Sequence, residues 1–391
     1  GGQSANSKRI SRRQVTQAKR RQYDAVVFAP GEEPDGCLNL WQGMAVEPAK
    51  GDWSMMRKHI LHTVCGGNEV IFGYLLGWLA RCVQCPGKIG EVAIVLRGAQ
   101  GTGKGFFIRE FGGLFGQHFL HIAQSSHLTG NFNAHLEDAV VVFADEALWG
   151  GDRKGAGVLK ALITEPTLPI EAKHRNLKVV KNCVHLLMAT NSDWAVPADM
   201  DDRRFLVLDV SDEHAQDHDY FAELANEMDS GGREAMLHDL QHQDIAGFDV
   251  RSVPKTGALY EQKILGLDWH QKWWRQKLLD GRLLPDDKCW TGEAPTEDLY
   301  DDYVEFCGKA GQSRKSVQTE LGMRIRQLLP HAYPRKSKMV ASREFGSKRR
   351  VLSWQFPSLA ECRQYWDDLM GHSEDWPAEE DDEDDEDDVP F

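Results

Sequence analysis

An apolar run that ends in a glycine-rich loop is the feature that most constrains how this chain folds. Residues 92–96 (Val-Ala-Ile-Val-Leu) have the composition of a buried strand, residues 98–105 (Gly-Ala-Gln-Gly-Thr-Gly-Lys-Gly) follow as a loop, and residues 106–109 continue as a helix. In such a unit, backbone N–H groups at the helix N-terminus bind a polyphosphate while a lysine reaches its outer phosphates. The sequence therefore predicts a nucleotide site formed by Gly98, Gln100, Gly101, Thr102, Gly103, Lys104 and Gly105.

Two further strand-like runs end in polar residues. Residues 139–144 lead into Asp145 and Glu146, and residues 184–190 lead into Asn191. Adjacent carboxylates at the end of an apolar strand are costly unless a cation lies nearby. We assign Asp145 to Mg²⁺, mostly through water, and Glu146 to polarising the attacking water. Asn191 would orient that water or sense the γ-phosphate, and a simple turn-forming role is its alternative. The three signals predict a chain that binds and hydrolyses a nucleotide.

One position departs from the usual pattern of such loops. The residue after the loop lysine normally offers a Ser or Thr hydroxyl to Mg²⁺, and here it is Gly105. The metal would then depend on Asp145, water and phosphate oxygens. We therefore expect a lower affinity for Mg²⁺.

A pair of arginines gains a catalytic role only if a second subunit is present. Arg203 and Arg204 follow Asp201 and Asp202, just before the strand-like residues 205–208. An arginine at such a position can reach a neighbour's nucleotide as an arginine finger, which is worth about 10³–10⁵ in rate. The alternative is a local ion pair with the two aspartates.

A basic tip lies between the acidic strand and the asparagine strand. Residues 170–176 (Ile-Glu-Ala-Lys-His-Arg-Asn) are polar and basic, with apolar residues on either side, and predict a projecting hairpin. In a ring of subunits, Lys173, His174 and Arg175 of such hairpins would line a channel and grip the phosphates of single-stranded DNA.

Composition along the chain predicts an α/β fold with smaller flanking units. Strand-like and helical runs alternate in the core, which favours a parallel sheet covered by helices. Trp269, Trp273 and Trp274 are interpreted as packing between domains rather than as base-stacking residues. The predicted segments are a basic linker (1–23), a helical N-terminal region (24–88), the nucleotide core (89–219), a helical region (220–284), a winged-helix-like domain (285–373) and a disordered acidic tail (374–391).

The winged-helix prediction depends on two helices followed by a basic hairpin. Residues 296–306 and 316–329 have helical periodicity, and residues 343–350 read as a hairpin turn before the alternating apolar residues 352–356. Lys348, Arg349 and Arg350 would contact DNA phosphates. A solvated basic edge is the alternative interpretation.

Charge is concentrated at the two ends of the chain. Residues 374–391 contain twelve acids and no lysine or arginine, and without them the net charge of −14 falls to −2. Seven basic residues precede Asp24, the first acid. Oppositely charged ends favour separate partners, although both ends could simply be solvated.

Several classes of protein are disfavoured by composition. No apolar run reaches the roughly 18–20 residues that span a bilayer, so no membrane association is expected. The eight cysteines are scattered, and Cys82 and Cys85 lack a second pair at zinc-binding spacing, which fits a reducing cytoplasm.

The chain starts with Gly-Gly rather than Met, so we expect its natural N-terminus to lie upstream.

In this order, the motifs resemble those of superfamily 3 helicases, AAA+ relatives from viral and plasmid replication proteins. The chain is most similar to the helicase part of phage and poxvirus-type primase-helicases, over residues 24–356. The resemblance implies a hexameric ring that moves 3′ to 5′ on single-stranded DNA, with Lys173 and His174 in the channel loop and Arg203 as the arginine finger. It also implies a primase or primase-polymerase domain upstream.

The acidic tail carries a second resemblance. Its continuous acids end in Val-Pro-Phe, which is similar to the C-terminal peptide of bacterial single-stranded DNA-binding proteins. Pro390 and Phe391 would dock in an apolar pocket of a replication protein, whereas a purely solubilising tail is the alternative.

The sequence therefore predicts an ATP-driven replicative helicase of a phage or mobile element, acting in a bacterial cytoplasm. Two other functions stay open. One is an initiator that binds and melts an origin through the winged helix. The other is a weakly hydrolysing, ATP-gated DNA-binding or loading module, which Gly105 favours.

Overall fold

The protein is described by a computed structural model over residues 22–146, 153–174, 176–312, 316–329, 336–341 and 348–378. The side chains of residues 153–154, 336–341 and 348–350 are outside this description. Arg175, Pro390, Phe391 and most of both predicted termini also lie outside the described residues, as do the side chains of Lys348, Arg349 and Arg350.

Strands and helices alternate along most of the described chain. The strands are β1 (Ala25–Val27), β2 (Cys37–Asn39), β3 (Ala93–Arg97), β4 (Phe119–Ile122), β5 (Val141–Asp145), β6 (Thr167–Ile170), β7 (Lys178–Lys181), β8 (His185–Thr190), β9 (Phe205–Asp209), β10 (Glu293–Pro295), β11 (Lys336–Ala341) and β12 (Lys348–Gln355). The helices are α1 (Ser54–Lys58), α2 (Glu69–Gln84), α3 (Lys104–Gly113), α4 (Ser125–Thr129), α5 (Arg153–Thr164), α6 (His218–Glu227), α7 (Arg233–His242), α8 (Gly257–Gly266), α9 (Trp269–Asp280), α10 (Thr296–Lys309), α11 (Gln318–Leu328) and α12 (Leu359–Met370). π-helical turns occupy His59–Val64 and Met228–Gly232.

A five-stranded parallel sheet forms the centre of the molecule, in the order β4-β5-β8-β3-β9. Its strands are apolar runs because helices cover both faces, as parallel sheets require. Ile94 and Leu96 of β3 belong to the apolar cluster on one face, and Ala93 and Val95 belong to the cluster on the other. The predicted α/β fold with a parallel central sheet is therefore confirmed.

The chain connections define where this sheet can bind a ligand. After β3 the chain runs to β4 at one edge, whereas after β8 it crosses over β3 to β9 at the other edge. Two neighbouring strands whose outgoing connections diverge leave a crevice at their carboxyl ends, the usual ligand site of open α/β sheets. The glycine-rich loop leaves β3 at this crevice.

The two covering layers come from different parts of the chain. One face packs against α2, α3 and α7, and α2 and α7 contact each other directly. The other face packs against α5 and α8. Within the predicted helical region 24–88, helices begin only at Ser54, and residues before it contain the short parallel pair β1 and β2.

A separate apolar cluster forms the C-terminal unit. Helices α9, α10, α11 and α12 pack with a three-stranded antiparallel sheet in the order β10-β12-β11. Trp273 and Trp274 of α9 are fully buried in this cluster, so α9 packs with this unit although it precedes residue 285. No helix in the described parts of the chain is both long and apolar enough to cross a membrane.

Candidate nucleotide site

The glycine-rich loop joins β3 to α3 in a conformation that needs glycine. Gly101 and Gly103 have φ values of +83° and +90°, which residues other than glycine rarely adopt. A Cβ atom at position 103 would also lie 2.8 Å from ring atoms of His59 and Phe221. Because α3 begins at Lys104, its unpaired N–H groups face the loop and can bind an anion there.

The Lys104 ammonium is turned back into this loop. Its Nζ donates hydrogen bonds to the carbonyl oxygens of Gly98 and Ala99 at 2.7 and 2.6 Å, and lies 3.3 Å from Oγ1 of Thr102. Burial lowers the pKa of the Lys104 ammonium, while the Glu146 and Asp145 carboxylates act in the opposite direction. A buried cation with two nearby acids is thus poised to exchange carbonyl partners for phosphate oxygens.

Asp145 is the last residue of β5, at the carboxyl ends of the strands, where the glycine-rich loop also lies. Its Oδ2 lies 3.1 Å from Nε2 of His121, which projects from the neighbouring strand β4. The His121 ring stacks flat on Phe143, with centroids 4.7 Å apart and an interplanar angle of 8°. His121 therefore holds the Asp145 carboxylate, and no motif or spacing in the sequence points to this histidine.

Glu146 is held against the end of β8. Its Oε1 accepts a hydrogen bond from the Asn191 N–H at 2.9 Å, and its Oε2 accepts one from the Thr190 hydroxyl at 3.1 Å. The residue itself has a φ of +51°, in the left-handed region. The structure thus brings together Glu146 and Asn191, which the sequence had proposed as partners in one site.

A cavity of about 730 Å³ joins these groups. Its lining residues are Gln100, Gly101, Thr102, Gly103, Lys104, Gly105, Phe106, Arg109, Ala123, Asp145, Glu146, Ala189, Asn191 and Phe221. The described residues contain no group of three metal-ligating side chains, and the acids in the lining of this cavity are Asp145 and Glu146. Mg²⁺ fits such a site because it retains water and is commonly held by one or two carboxylates plus phosphate oxygens.

Arg97, the residue before the loop, links β3 to β9 and α8 through ion pairs. The Arg97 guanidinium donates to both carboxylate oxygens of Asp209 in β9 and to Glu261 in α8, with its Nε 2.5 Å from Asp209 Oδ1. These carboxylates raise the pKa of Arg97. Arg97 also lines a neighbouring cavity of about 670 Å³, together with Gly98 and Ala99, and Asn191 lines both cavities.

The arginine pair lies at the amino ends of the sheet strands, opposite to the carboxyl ends where the glycine-rich loop lies. Arg203 and Arg204 precede β9, whereas the glycine-rich loop follows β3, which runs parallel to it. Arg204 donates to Asp202 at 3.3 Å, as the local ion-pair alternative proposed. Arg203 is exposed and has no hydrogen-bond or ion-pair partner among the described residues. A strand of five residues is roughly 16 Å long, so Arg203 cannot reach the loop of its own chain.

The basic tip is part of a hairpin, as predicted. Strands β6 and β7 pair antiparallel, and Lys173 and His174 are exposed in the turn between them, with a φ of +63° at His174. Asn133 holds the hairpin base, because its side chain accepts from Glu171 N at 2.8 Å and donates to Pro169 O at 2.9 Å. Next to this anchor, the Phe132 side chain is 58% exposed.

The basic strand of the C-terminal unit is also a paired element. Residues 348, 349 and 350 start β12 and pair with residues 341, 340 and 339 of β11. The predicted helices and antiparallel strands are therefore present in this unit, in the order α10, α11, β11, β12.

Fold and site together define a mixed α/β protein with a glycine-rich loop at the crevice of a central parallel sheet. A family of unknown function (DUF5906) matches residues 96–204, the part that carries this loop, the acidic strand and the hairpin. The DNA primase-polymerase of Nitratiruptor phage NrS-1 is 29% identical over 189 residues, which are 46% of this chain and 26% of that protein.

Solved structures of the NrS-1 C-terminal region (305–718) have a similar fold. The apo structure has a TM-score of 0.66 at 20% identity, covering 84% of both chains. An A-form apo structure has a TM-score of 0.64 at 19% identity, covering 85% of this chain and 84% of that one. The chain matches about a quarter of the length of the phage primase-polymerase, and its fold is that of the C-terminal region.

Proposed function

We propose that this chain is an ATP-driven DNA translocase with an AAA+ core of the superfamily 3 type, acting as a replicative helicase. One observation supports this proposal most directly. The glycine-rich loop after β3, the acids Asp145 and Glu146 at the end of β5, and Asn191 after β8 line one cavity at the carboxyl ends of three adjacent strands. The similarity to a phage DNA primase-polymerase supports a role in DNA replication, in a bacterial host cytoplasm.

Each residue of the cavity has a role in ATP hydrolysis under this proposal. The N–H groups of the loop bind the phosphates, and Lys104 neutralises the outer ones. Glu146 orients and deprotonates the attacking water, and Asn191 keeps that carboxylate in position through its N–H. Asp145, fixed by His121, would hold Mg²⁺, which offsets phosphate charge when bound.

Completing this site needs a second copy of the chain. Arg203 lies at the opposite end of the sheet strands from its own Lys104 and has no hydrogen-bond or ion-pair partner among the described residues, which supports action on a neighbour's nucleotide. A head-to-tail contact of this kind closes into a ring, and we propose the hexamer that the resemblance implies. Lys173 and His174, with Phe132 beside the hairpin, would then contact single-stranded DNA in the channel.

The C-terminal unit and the tail would contact other partners. The order of its helices and strands supports a winged-helix-like unit, whose basic strand would bind DNA phosphates. The tail that ends in Pro390 and Phe391 would dock on a replication protein of the host or element.

The decisive experiment is ATP hydrolysis by the wild type and by Lys104→Ala, with and without single-stranded DNA. We expect turnover that DNA stimulates and that Lys104→Ala reduces to background, together with unwinding of a duplex that has a 3′ single-stranded tail. If the wild type never exceeds the Lys104→Ala level in either condition, the helicase proposal is wrong.

Gly105 favours one second candidate, a weakly hydrolysing module that ATP gates onto DNA. That module would bind DNA more tightly with ATP yet turn over no faster with DNA present. An origin-binding initiator differs again, because it would protect one duplex sequence and leave random DNA unprotected.

A further inference from the structure

The space beside Gly105 is occupied by an arginine. A Cβ atom at position 105 would lie 2.8 Å from Nη1 of Arg109, closer than such contacts normally come. Arg109 follows Gly105 by four residues in α3, so the two share a helix face, and long helical side chains point back towards the N-terminus. The guanidinium thus lies close to where a Ser or Thr side chain would begin, at the wall of the 730 Å³ cavity.

Arg109 has no hydrogen-bond or ion-pair partner among the residues that the structure describes. This contrasts with the adjacent Glu110, whose carboxylate accepts from Arg233 at 2.7 Å on the other side of α3. It also contrasts with Lys104, which is engaged by two loop carbonyls. An arginine offers five N–H donors in a rigid fork that matches phosphate oxygens, and in Arg109 no described residue accepts a hydrogen bond from them.

We propose that Arg109 binds the phosphates of the nucleotide from within the same chain, in the place where related loops present a metal-binding hydroxyl. This inference rests on the proposed nucleotide site and deepens it. Gly105 provides the room, and Arg109 provides a permanent positive charge that does not depend on a metal ion. Nucleotide binding by this chain is therefore less dependent on Mg²⁺ than the missing hydroxyl suggests.

The test is binding to the full chain in EDTA, with ATP, inorganic tripolyphosphate and adenosine as separate probes. We expect Arg109→Gln to lower the affinity for ATP and for tripolyphosphate by roughly ten- to a hundredfold, because it removes charge-assisted hydrogen bonds. Arg109→Lys should recover part of this loss. Adenosine binding should not change, and Arg282→Gln, at an exposed arginine of the C-terminal part, should behave as the wild type.

A double-mutant cycle tests the link to Gly105. In the wild-type background, Gly105→Ser displaces the guanidinium, and we expect weaker ATP binding in EDTA. In the Arg109→Gln background the same substitution should cost nothing, so the two effects are non-additive. Additive effects would show that Gly105 and Arg109 act independently and would overturn the proposed exchange of roles.

Three results decide between this inference and the proposed function. If the wild type binds no ATP, the nucleotide site itself is wrong. If the wild type binds ATP, Lys104→Ala binds it poorly and Arg109→Gln binds it as the wild type does, only the role of Arg109 is wrong. If Arg109→Gln loses ATP but keeps tripolyphosphate, the guanidinium contacts the base or ribose instead, which also overturns the proposal.

Discussion

Glu146 is the residue whose backbone is most constrained at the site. A non-glycine residue with a φ of +51° costs of order 1 kcal/mol or more, and it persists here because Thr190 and Asn191 hold its carboxylate. The same two contacts aim the carboxylate at the crevice beside β8. Strain held in place by neighbouring hydrogen bonds is typical of catalytic positions.

The first prediction concerns Glu146→Gln. The amide keeps the shape of the side chain but cannot accept a proton, so we expect ATP binding within a fewfold of wild type and turnover lower by about 10²–10⁴. Binding by titration and steady-state hydrolysis are the measurements. Wild-type turnover in this variant would remove Glu146 from the chemistry.

The second prediction concerns pH and two buried histidines. Burial lowers the pKa of His59 to about 4 and that of His185 to about 3, from 6.5 in the unfolded chain. Their contribution to stability is present above pH 6.5 and is lost as the pH falls from there towards 4. Each should lower the free energy of unfolding by about 1.4 kcal/mol per pH unit in that window.

Urea unfolding between pH 7.5 and 5 measures this slope. His185→Phe removes one titrating group from the fully buried β8. Between pH 7.5 and 5, the loss in free energy of unfolding should therefore be about 2 kcal/mol smaller in this variant than in the wild type. Equal slopes in the two proteins would contradict the low pKa of His185.

At the scale of elements, the β6–β7 hairpin depends on a residue outside it. Asn133 bonds the backbone at Pro169 and Glu171, and an exposed ion pair between Lys178 and Glu137 adds little. The hairpin is thus oriented by the segment that also carries the exposed Phe132. Lys173 and His174 at the hairpin tip therefore keep a fixed position only while the two Asn133 hydrogen bonds are formed.

The third prediction is that Asn133→Ala weakens single-stranded DNA binding by roughly three- to tenfold, because two hydrogen bonds worth about 1 kcal/mol each are lost. ATP binding, measured on the same protein, should not change. Lys173→Ala is the matched variant, since it removes a tip charge but keeps the anchor, and its DNA binding should also depend less on salt. If Asn133→Ala binds DNA like the wild type, the anchor does not matter for DNA.

At the scale of the whole molecule, the loop lies at the carboxyl ends of the parallel sheet strands and Arg203 lies at their amino ends. This polarity suits a head-to-tail assembly, since each copy then offers a nucleotide to one neighbour and an arginine to the other. Arg204 is bonded to Asp202 within its own chain, whereas Arg203 has no hydrogen-bond or ion-pair partner in the part of the chain that the structure describes.

The fourth prediction follows from that polarity. Lys104→Ala and Arg203→Ala should each be inactive, yet an equimolar mixture should recover about a quarter of the sites, where an intact Lys104 meets an intact Arg203. Arg204→Ala is the control and should keep most of its turnover. No recovery in mixtures that form mixed assemblies would mean that Arg203 does not act across an interface.

The sequence alone determined the local units: the strand–loop–helix around Lys104, the strands that end in acids and in asparagine, and the hairpin with Lys173 and His174. Composition and periodicity report these features because each is contained in one short segment. Only the tertiary structure decided that Arg109 fills the space beside Gly105, that Asn133 anchors the hairpin, that Trp273 and Trp274 are core residues of the C-terminal unit and that Arg203 lies at the opposite end of the strands from its own loop. Those facts depend on side-chain direction and on which distant segments pack together, and neither is written in the local pattern of residues.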